Sequence, residues 1–233
     1  MIIDIIVQAR MGSKRLPGKV LMPIMGRPMI EYTLESLLRV SGKRRITVAM
    51  PGGPSVLARV VNDFAARDGF RAVRSVGGDE DDVASRFIDA LVSVPGYLPA
   101  PCAGADGFVR ICGDSPVIDW RLVDRCIEVF KETKSHLVSN VGGGFPHGQQ
   151  VEVIDTAFFL ANKDKLNREH VTTTLYSLPN CEKHILLTAP PADGGPSLVV
   201  DTLSDFERLT KVIELADGRP WDYGWRDLQD MAR

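Results

Sequence analysis

The first 140 residues alternate short apolar runs with segments whose apolar residues recur every three or four positions, and this alternation constrains the fold more than any other feature. Such runs are typical of buried strands, and the intervening periodicity is typical of helices with one buried face. Together they predict βαβ units and a mostly parallel sheet. The predicted strands are Ile2–Val7, Ile46–Met50, Ala72–Val76, Phe108–Cys112 and Leu137–Ser139.

The segments between these runs carry their apolar residues on one face of a helix, as Val83 and Phe87 do in the third segment. Residues that favour helix starts stand where the periodicity begins, namely Pro28, Ser55 and Asp119. The predicted fold class is therefore α/β, with a Rossmann-like, mostly parallel sheet flanked by helices.

A length of 233 residues, with 44% hydrophobic and 25% charged residues, is enough for one domain with a sizeable core, so residues 1–233 are expected to form a single domain. A formal net charge of -2, with both signs mixed, lacks the basic footprint of nucleic-acid binders, so any phosphate partner should be small. No stretch approaches the roughly 20 apolar residues that span a membrane. Four cysteines without metal-type spacing suit a reduced, cytoplasmic protein.

Residues 141–190 break the alternating pattern and are predicted to form a small inserted lobe over the functional site. This segment ends in a predicted strand, Ile185–Thr188, and the apolar run Leu198–Val200 that follows is interpreted as a further strand. Two stretches rich in Pro, Gly and Ala, residues 94–107 and 189–197, are predicted to be surface loops.

The loop after the first strand, Gln8–Lys19, combines four cations with two glycines and a serine. In open α/β sheets ligands bind beyond the carboxyl ends of the strands. Backbone N–H groups and cationic side chains in such a loop can surround a polyphosphate. The spacing matches neither a P-loop nor a GxGxxG motif. The alternative is a solvated basic loop.

Two carboxylates are candidate metal ligands. Asp114 follows the strand Phe108–Cys112, and Asp201 follows Leu198–Val200, so both are expected at the carboxyl edge of the sheet. Mg²⁺ takes oxygen ligands and is usually held by one or two carboxylates together with substrate phosphates. The alternative for each aspartate is a helix N-cap, since both precede predicted helices and Thr202–Asp205 resembles a capping box.

The run QARMGSKRLPGK at residues 8–19 resembles the N-terminal signature of the cytidylyltransferases that make CMP-activated acid sugars. These include the CMP-KDO and CMP-acylneuraminate synthetases and, with the greatest similarity, the spore coat polysaccharide biosynthesis protein F family. The resemblance covers nearly the whole chain, through DDVASRF at 81–87, VRICGDSP at 109–116, FPHG at 145–148, REHVT at 168–172 and the segment around Asp201.

This resemblance implies a fold of the nucleotide-diphospho-sugar transferase type and the partners CTP, Mg²⁺ and a small anionic acceptor. It implies catalytic roles for Lys19, Arg10 and Asp114, with Lys19 at the reacting α-phosphate, and a metal held by Asp114 and Asp201. The residues that it assigns to the nucleotide are Ala9, Arg10, Gly12, Ser13, Arg15, Lys19, Asp82 and Arg86. For Asp82 and Arg86 an i,i+4 ion pair is the simpler alternative.

The acceptor is expected to bind in residues 145–175, whose polar groups could recognise a carboxylate, a phosphonate or sugar hydroxyls. The candidate acceptor residues are His147, Gln149, Glu152, Arg168 and His170. For a single histidine, a structural role is the alternative.

The predicted reaction is in-line attack of an acceptor oxygen on the α-phosphorus of CTP, with release of pyrophosphate. The acceptor is expected to be an acid sugar such as a 3-deoxy-2-ulosonic acid, and a small phosphonate is the main alternative. Two further alternatives are a nucleotidyltransferase that uses another NTP and a non-catalytic nucleotide-binding protein. The brief insertion and short C-terminal end leave both a monomer and a homodimer open.

Overall fold

The computed structural model describes residues 1–42, 45–53, 55–67, 73–92, 102–179, 181, 184–190 and 195–233. Its strands are β1 Ile3–Gln8, β2 Pro23–Ile24, β3 Arg27–Pro28, β4 Ile46–Pro51, β5 Val73–Gly78, β6 Gly107–Cys112, β7 Leu137–Ser139, β8 Glu152–Asp155 and β9 His184–Leu186. Its α-helices are α1 Met29–Leu37, α2 Val56–Ala66, α3 Val83–Leu91, α4 Trp120–Thr133, α5 Thr156–Ala161, α6 Leu203–Leu215 and α7 Trp225–Met231.

Within the described residues, seven strands form one sheet in the order β5-β4-β1-β6-β8-β7-β9, and β2 pairs with β3 as a separate hairpin. Strands β5, β4, β1 and β6 are parallel, whereas β8 runs antiparallel to both β6 and β7. The mostly parallel sheet flanked by helices confirms the predicted fold class. Gln8 pairs in register with Cys112, so β1 and β6 end side by side.

Successive side chains of strand β1 point to opposite faces of the sheet, and both faces carry apolar residues, so the strand is buried on both sides. Ile5 and Val7 pack into one core cluster, while Ile6 packs into the other. Asp4 is buried in this strand but is neutralised by Arg45, whose backbone N and Nε donate to its carboxylate at 3.0 and 2.7 Å. The paired charge explains how an acidic residue is accommodated in a central strand.

The predicted strand Leu198–Val200 is wrong, because this segment has no strand pairing. Its N–H groups donate instead to two separate segments, from Leu198 to His147 O at 2.6 Å and from Val200 to Asp114 O at 3.0 Å. These bonds hold the segment against the end of the sheet without a ladder. The other predicted strands are present, with ends that match or are shifted by at most two residues where they can be compared.

Parts of three predicted elements fall outside the described residues. Ala72 precedes the described part of β5, and residues 94–101 and 191–194 of the predicted surface loops are likewise outside.

Residues 141–190, predicted as an inserted lobe, contribute β8 and β9 to the central sheet. Outside the sheet, α5 and the short 3₁₀ helix at 175–177 pack on one face, where the rings of Phe159 and of Phe108 in β6 meet edge to face with centroids 5.1 Å apart. A second short 3₁₀ helix, at 163–165, has no buried residue. The segment is therefore built partly into the sheet itself. No helix in the described ranges has the length and apolar character that crossing a membrane requires.

Candidate nucleotide and metal site

The carboxyl ends of β1 and β6 open into a cavity of about 310 Å³. This is the edge of the sheet where ligands of open α/β folds bind. The described residues that line it are Gln8, Ala9, Arg10, Ser13, Lys14, Arg15, Lys19, Val20, Cys112, Asp114, Glu169, His170 and Asp201.

The loop that follows β1 folds back so that Lys19 enters the cavity. The N–H groups of Ser13 and Gly18 donate to Met11 O at 3.0 and 2.9 Å. Gly18 has φ +73°, a left-handed conformation that glycine adopts without steric cost, and it directly precedes the 3₁₀ helix Lys19–Leu21. This turn buries most of the Lys19 side chain at the wall of the cavity.

The Lys19 ammonium joins the two predicted metal ligands. Its Nζ donates to Asp114 Oδ2 at 2.7 Å, to Asp201 Oδ1 at 3.1 Å and to the carbonyl oxygen of Val200 at 2.6 Å. The residue is 7% exposed, whereas the two carboxylates are 24% and 31% exposed. The ammonium is therefore enclosed, and both carboxylates keep a face toward the cavity.

Neither aspartate caps a helix, which removes the alternative that the sequence left open. The N-cap of α4 is Asp119, whose side chain accepts from Arg121 N. The N-cap of α6 is Thr202, which forms a capping box with Asp205. This box begins directly after Asp201 and orients it, since Asp201 N also donates to Asp205 Oδ2 at 3.1 Å.

Two arginines of the loop are paired with acids around the same cavity. Arg15 Nη2 lies 2.9 Å from Asp201 Oδ1, and Arg10 Nη2 donates to Glu169 at 3.2 Å. Both pairs face solvent, so each contributes little stability and can be exchanged for a stronger anionic partner.

The segment that brings Glu169 and His170 to the cavity is anchored on α3. The carbonyl oxygen of Arg168 accepts from Val83 N at 2.8 Å and Ala84 N at 3.3 Å, N–H groups that have no partner within the helix. As a result His170 lines the cavity. The Arg168 side chain lies 3.6 Å from Asp82, is 83% exposed and is not among the lining residues.

Besides Arg168, three further predicted acceptor residues do not line the cavity. His147 is exposed elsewhere on the surface. Gln149 is completely buried, where its Oε1 accepts from Asp119 N and its Nε2 donates to Val117 O, both at 2.8 Å. These bonds brace the chain that follows Asp114, so Gln149 has a structural role.

Glu152 is the third of these residues, and its carboxylate oxygens are also hydrogen-bonded within the protein. It is 2% exposed, and its two oxygens accept from Arg110 Nη1 and from Tyr176 Oη, both at 2.5 Å. Burial disfavours the charge of Arg110, but the adjacent Glu152 carboxylate and its hydrogen bond favour it more strongly, so the pKa of Arg110 is raised overall. Burial and Glu152 raise the pKa of Tyr176, which keeps its hydroxyl protonated as a donor.

Asp82 and Arg86 are also outside the cavity lining. Asp82 caps α3 by accepting from Ser85 N at 2.9 Å, and Arg86 is fully buried and donates to the carbonyl oxygens of Asp79 and Glu80. Their predicted i,i+4 ion pair does not form. Burial, followed by the nearby charge of Arg10, lowers the pKa of Arg86.

The sequence pointed to Lys14 only as one of four loop cations and to Glu169 only as a polar group of residues 145–175, and it assigned no role in the site to Gln8 or Cys112; all four line the cavity. Gln8 and Cys112 are the last residues of β1 and β6, so the rule about strand ends could have found them. Burial raises the pKa of Cys112, and its neutral thiol is thus a wall of the cavity and not a nucleophile.

The donor set fits a divalent cation. Two carboxylate oxygens and the Val200 carbonyl oxygen surround one cationic nitrogen within 3.1 Å, so three hard oxygen ligands already converge on a single cation position. Among the described residues no cluster of three or more His, Cys, Asp or Glu could complete a metal site alone. A metal here would therefore depend on substrate oxygens, as Mg²⁺ sites commonly do.

Comparison with solved structures first defines the fold class of the protein. The fold is shared with a cytidylyltransferase from Leptospira borgpetersenii serovar Hardjo-bovis, with a TM-score of 0.82 and 23% identity over 99% of this chain and 93% of that one. It is also shared with a CMP:2-keto-3-deoxy-manno-octonic acid synthetase complexed with CTP, with a TM-score of 0.67 and 18% identity over 93% of this chain and all of that one. The fold is thus that of the nucleotidyltransferases.

The sequence defines the family. Residues 5–192 match the profile of the cytidylyltransferases, and the chain belongs to this family. It is 27% identical over 225 residues to the spore coat polysaccharide biosynthesis protein SpsF of Bacillus subtilis, an alignment that spans 92% of this chain and 88% of that protein. The resemblance that the sequence motifs indicated is confirmed, and the chain is a nucleotidyltransferase of the cytidylyltransferase family.

Proposed function

We propose that this protein transfers CMP from CTP to a small anionic acceptor, an acid sugar such as a 3-deoxy-2-ulosonic acid, with release of pyrophosphate. One observation carries the proposal. In a chain of the cytidylyltransferase family, Lys19, Arg15 and two carboxylates meet in one cavity at the end of β1 and β6. That arrangement suits a triphosphate with a divalent cation, because each type of charge has a partner there.

The loop residues are assigned to the nucleotide. Arg10 and Arg15 hold the triphosphate through charge-assisted bonds, for which their present carboxylate partners are exchanged. Ala9 and Ser13 line the cavity beside it, and the exposed Gly12, which lies outside that lining, is assigned to the nucleotide only through its place in the loop. The ammonium of Lys19 offsets the charge that develops at the α-phosphate during attack.

The metal is assigned to Asp114 and Asp201. Mg²⁺ bound there would supply Lewis-acid polarisation of the phosphate oxygens that it contacts. The chain itself contributes the position, since the Val200–Asp114 hydrogen bond and the capping box at Thr202 fix the two carboxylates toward the same point.

The acceptor is assigned to the part of the cavity near His170, which can donate to a carboxylate or hydroxyl. Gln149 and Glu152 are not carried over as acceptor ligands, because their polar atoms are engaged within the protein. No covalent enzyme intermediate is required, in keeping with the neutral thiol of Cys112.

The test is pyrophosphate release with CTP and Mg²⁺ across a panel of acid sugars and small phosphonates. We expect turnover with an acid sugar and CTP, and at most weak turnover when ATP, GTP or UTP replaces CTP. Turnover with a phosphonate alone would replace the acceptor class. Equal turnover with another nucleotide would contradict the assignment to CTP.

A further inference from the structure

The three donors of the Lys19 ammonium are all used by the oxygens of the candidate metal site. An ammonium group has three N–H bonds, and Lys19 Nζ has three acceptors, at Asp114, Asp201 and Val200. The side chain is almost wholly enclosed, so water does not compete for these bonds. The ammonium therefore occupies the position on which the metal ligands converge.

The charges around this position already balance. Lys19 and Arg15 contribute two positive charges, and Asp114 and Asp201 contribute two negative ones. A divalent cation that entered alone would leave an excess of positive charge and an enclosed ammonium without acceptors. An uncompensated buried charge is strongly unfavourable, and Mg²⁺ also gives up its water reluctantly.

A nucleotide removes both obstacles at once. Its phosphate oxygens offer acceptors to Lys19 and Arg15, and its negative charge offsets the metal. When the ammonium turns to a phosphate, the carboxylates and the Val200 carbonyl become available.

We propose that Lys19 occupies the metal position of the nucleotide-free protein and so prevents the divalent cation from binding before the nucleotide. Lys19 is thus a positioning residue for the metal as well as a phosphate ligand. This inference rests on the proposed function, because it takes the metal and nucleotide to share this cavity. A nucleotide that draws Lys19 away from the carboxylates therefore strengthens metal binding. By linkage, the metal strengthens nucleotide binding by the same factor.

The test measures binding of Mn²⁺ alone to the intact protein, by the electron paramagnetic resonance signal of free Mn²⁺, with no nucleotide present. We expect Lys19→Met to bind Mn²⁺ at least about tenfold more tightly than the wild type, within the usual range of coupling between two ligands. If Lys19→Met does not fold, as judged by circular dichroism, Lys19→Gln carries the same comparison with a neutral side chain.

Two controls separate the loss of the Lys19 contacts with the metal ligands from the general loss of one positive charge. Lys131→Met removes the same charge from an exposed residue of α4 that does not line the cavity, so Mn²⁺ affinity should change less than about twofold. Adding Asp114→Asn to Lys19→Met should abolish the gain, which would locate the bound Mn²⁺ at this carboxylate.

Equal Mn²⁺ affinity in wild type and Lys19→Met, whether both are tight or both undetectable, would overturn the inference. A gain of the same size in Lys131→Met, or one that survives Asp114→Asn, would overturn it too. Because no nucleotide is present, these outcomes leave the proposed function standing. Failure of that function would appear separately, as absence of CTP binding and of pyrophosphate release.

Discussion

The cavity at the end of β1 and the interior of segment 141–190 use charged side chains in opposite ways. Around the cavity, Arg15 and Asp201 keep much of their side chains exposed. In segment 141–190, Glu152 is sealed between Arg110 and Tyr176. An exposed pair contributes little to stability and is open to exchange, whereas a buried pair is costly to break. The first region is therefore suited to ligands, and the second supports the fold.

The largest effect is expected from Asp114→Asn, which removes a negative charge from the cavity at the end of β1. Turnover should fall at least about a thousandfold, comparable to loss of a transition-state electrostatic contact. The fold should survive, because the new side chain has the same shape and 24% of the original was exposed. Pyrophosphate release measures the loss, and circular dichroism checks the fold.

The matched control is Asp106→Asn. Asp106 is an exposed acid that directly precedes β6, at the end of the strand away from the cavity. It should change turnover less than about twofold, as expected of a screened surface charge. Full activity in Asp114→Asn would remove this residue from the metal assignment.

The structural role of the buried interior of segment 141–190 is tested by Glu152→Ala. This substitution leaves the buried guanidinium of Arg110 without its carboxylate, so the free energy of unfolding should fall by about 3 to 5 kcal/mol. Urea denaturation measures the change. Glu169→Ala is the counterpart at the cavity, where an exposed pair with Arg10 is lost, and it should cost less than about 1 kcal/mol. Equal losses in the two variants would abolish the distinction between the regions.

Arg15→Ala sharpens the assignment of the loop to phosphate. Loss of one charge-assisted contact is worth about 1.5 to 3 kcal/mol, so CTP affinity should fall at least about tenfold in titration calorimetry with Mg²⁺. Arg59→Ala, which removes one exposed charge from α2, should leave CTP affinity unchanged. If both variants bound CTP as the wild type does, Arg15 would not be a phosphate ligand.

The smallest effect is expected at the capping box that orients Asp201. Asp205→Ala should lower the free energy of unfolding by about 1 kcal/mol, a typical cost of a lost cap. Burial opposes its charge, but bonds from Arg208 and Thr202 outweigh burial and lower the pKa of Asp205 to about 2. Its contribution is therefore present above the ordinary carboxyl pKa, about 4, and is lost as pH falls from there through about 2.

Urea denaturation across this pH range measures the contribution of Asp205. The difference between wild type and Asp205→Ala should shrink as the solution is acidified. A difference that is constant from neutral pH to about pH 2 would show that the charge of Asp205 is not what stabilises the cap.

The sequence allowed the meeting of the loop Gln8–Lys19 with Asp114 in one cavity to be predicted, because that meeting follows from topology. Parallel strands end at one edge of the sheet, so residues that follow β1 and β6 must lie together. Asp201 reaches the same point although no strand precedes it, through the bond from Val200 N to Asp114 O. That long-range backbone contact has no local sequence signal.

The residues chosen for the acceptor side could not be placed in this way. Gln149 and Glu152 are polar residues of the kind that bind ligands, yet their partners at Asp119, Val117, Arg110 and Tyr176 come from distant parts of the chain. Residue type alone does not distinguish a buried structural network from an exposed binding group. His170 reaches the cavity because its segment satisfies the start of α3, a tertiary contact that the sequence does not reveal.

The most direct test of the central claim is a crystal structure of the wild type with α,β-methylene CTP and Mn²⁺. The account predicts an anomalous Mn²⁺ peak between Asp114 and Asp201, with the triphosphate along the loop from Arg10 to Lys19. Nucleotide bound elsewhere, or Mn²⁺ held by the triphosphate without contact to either aspartate, would contradict it.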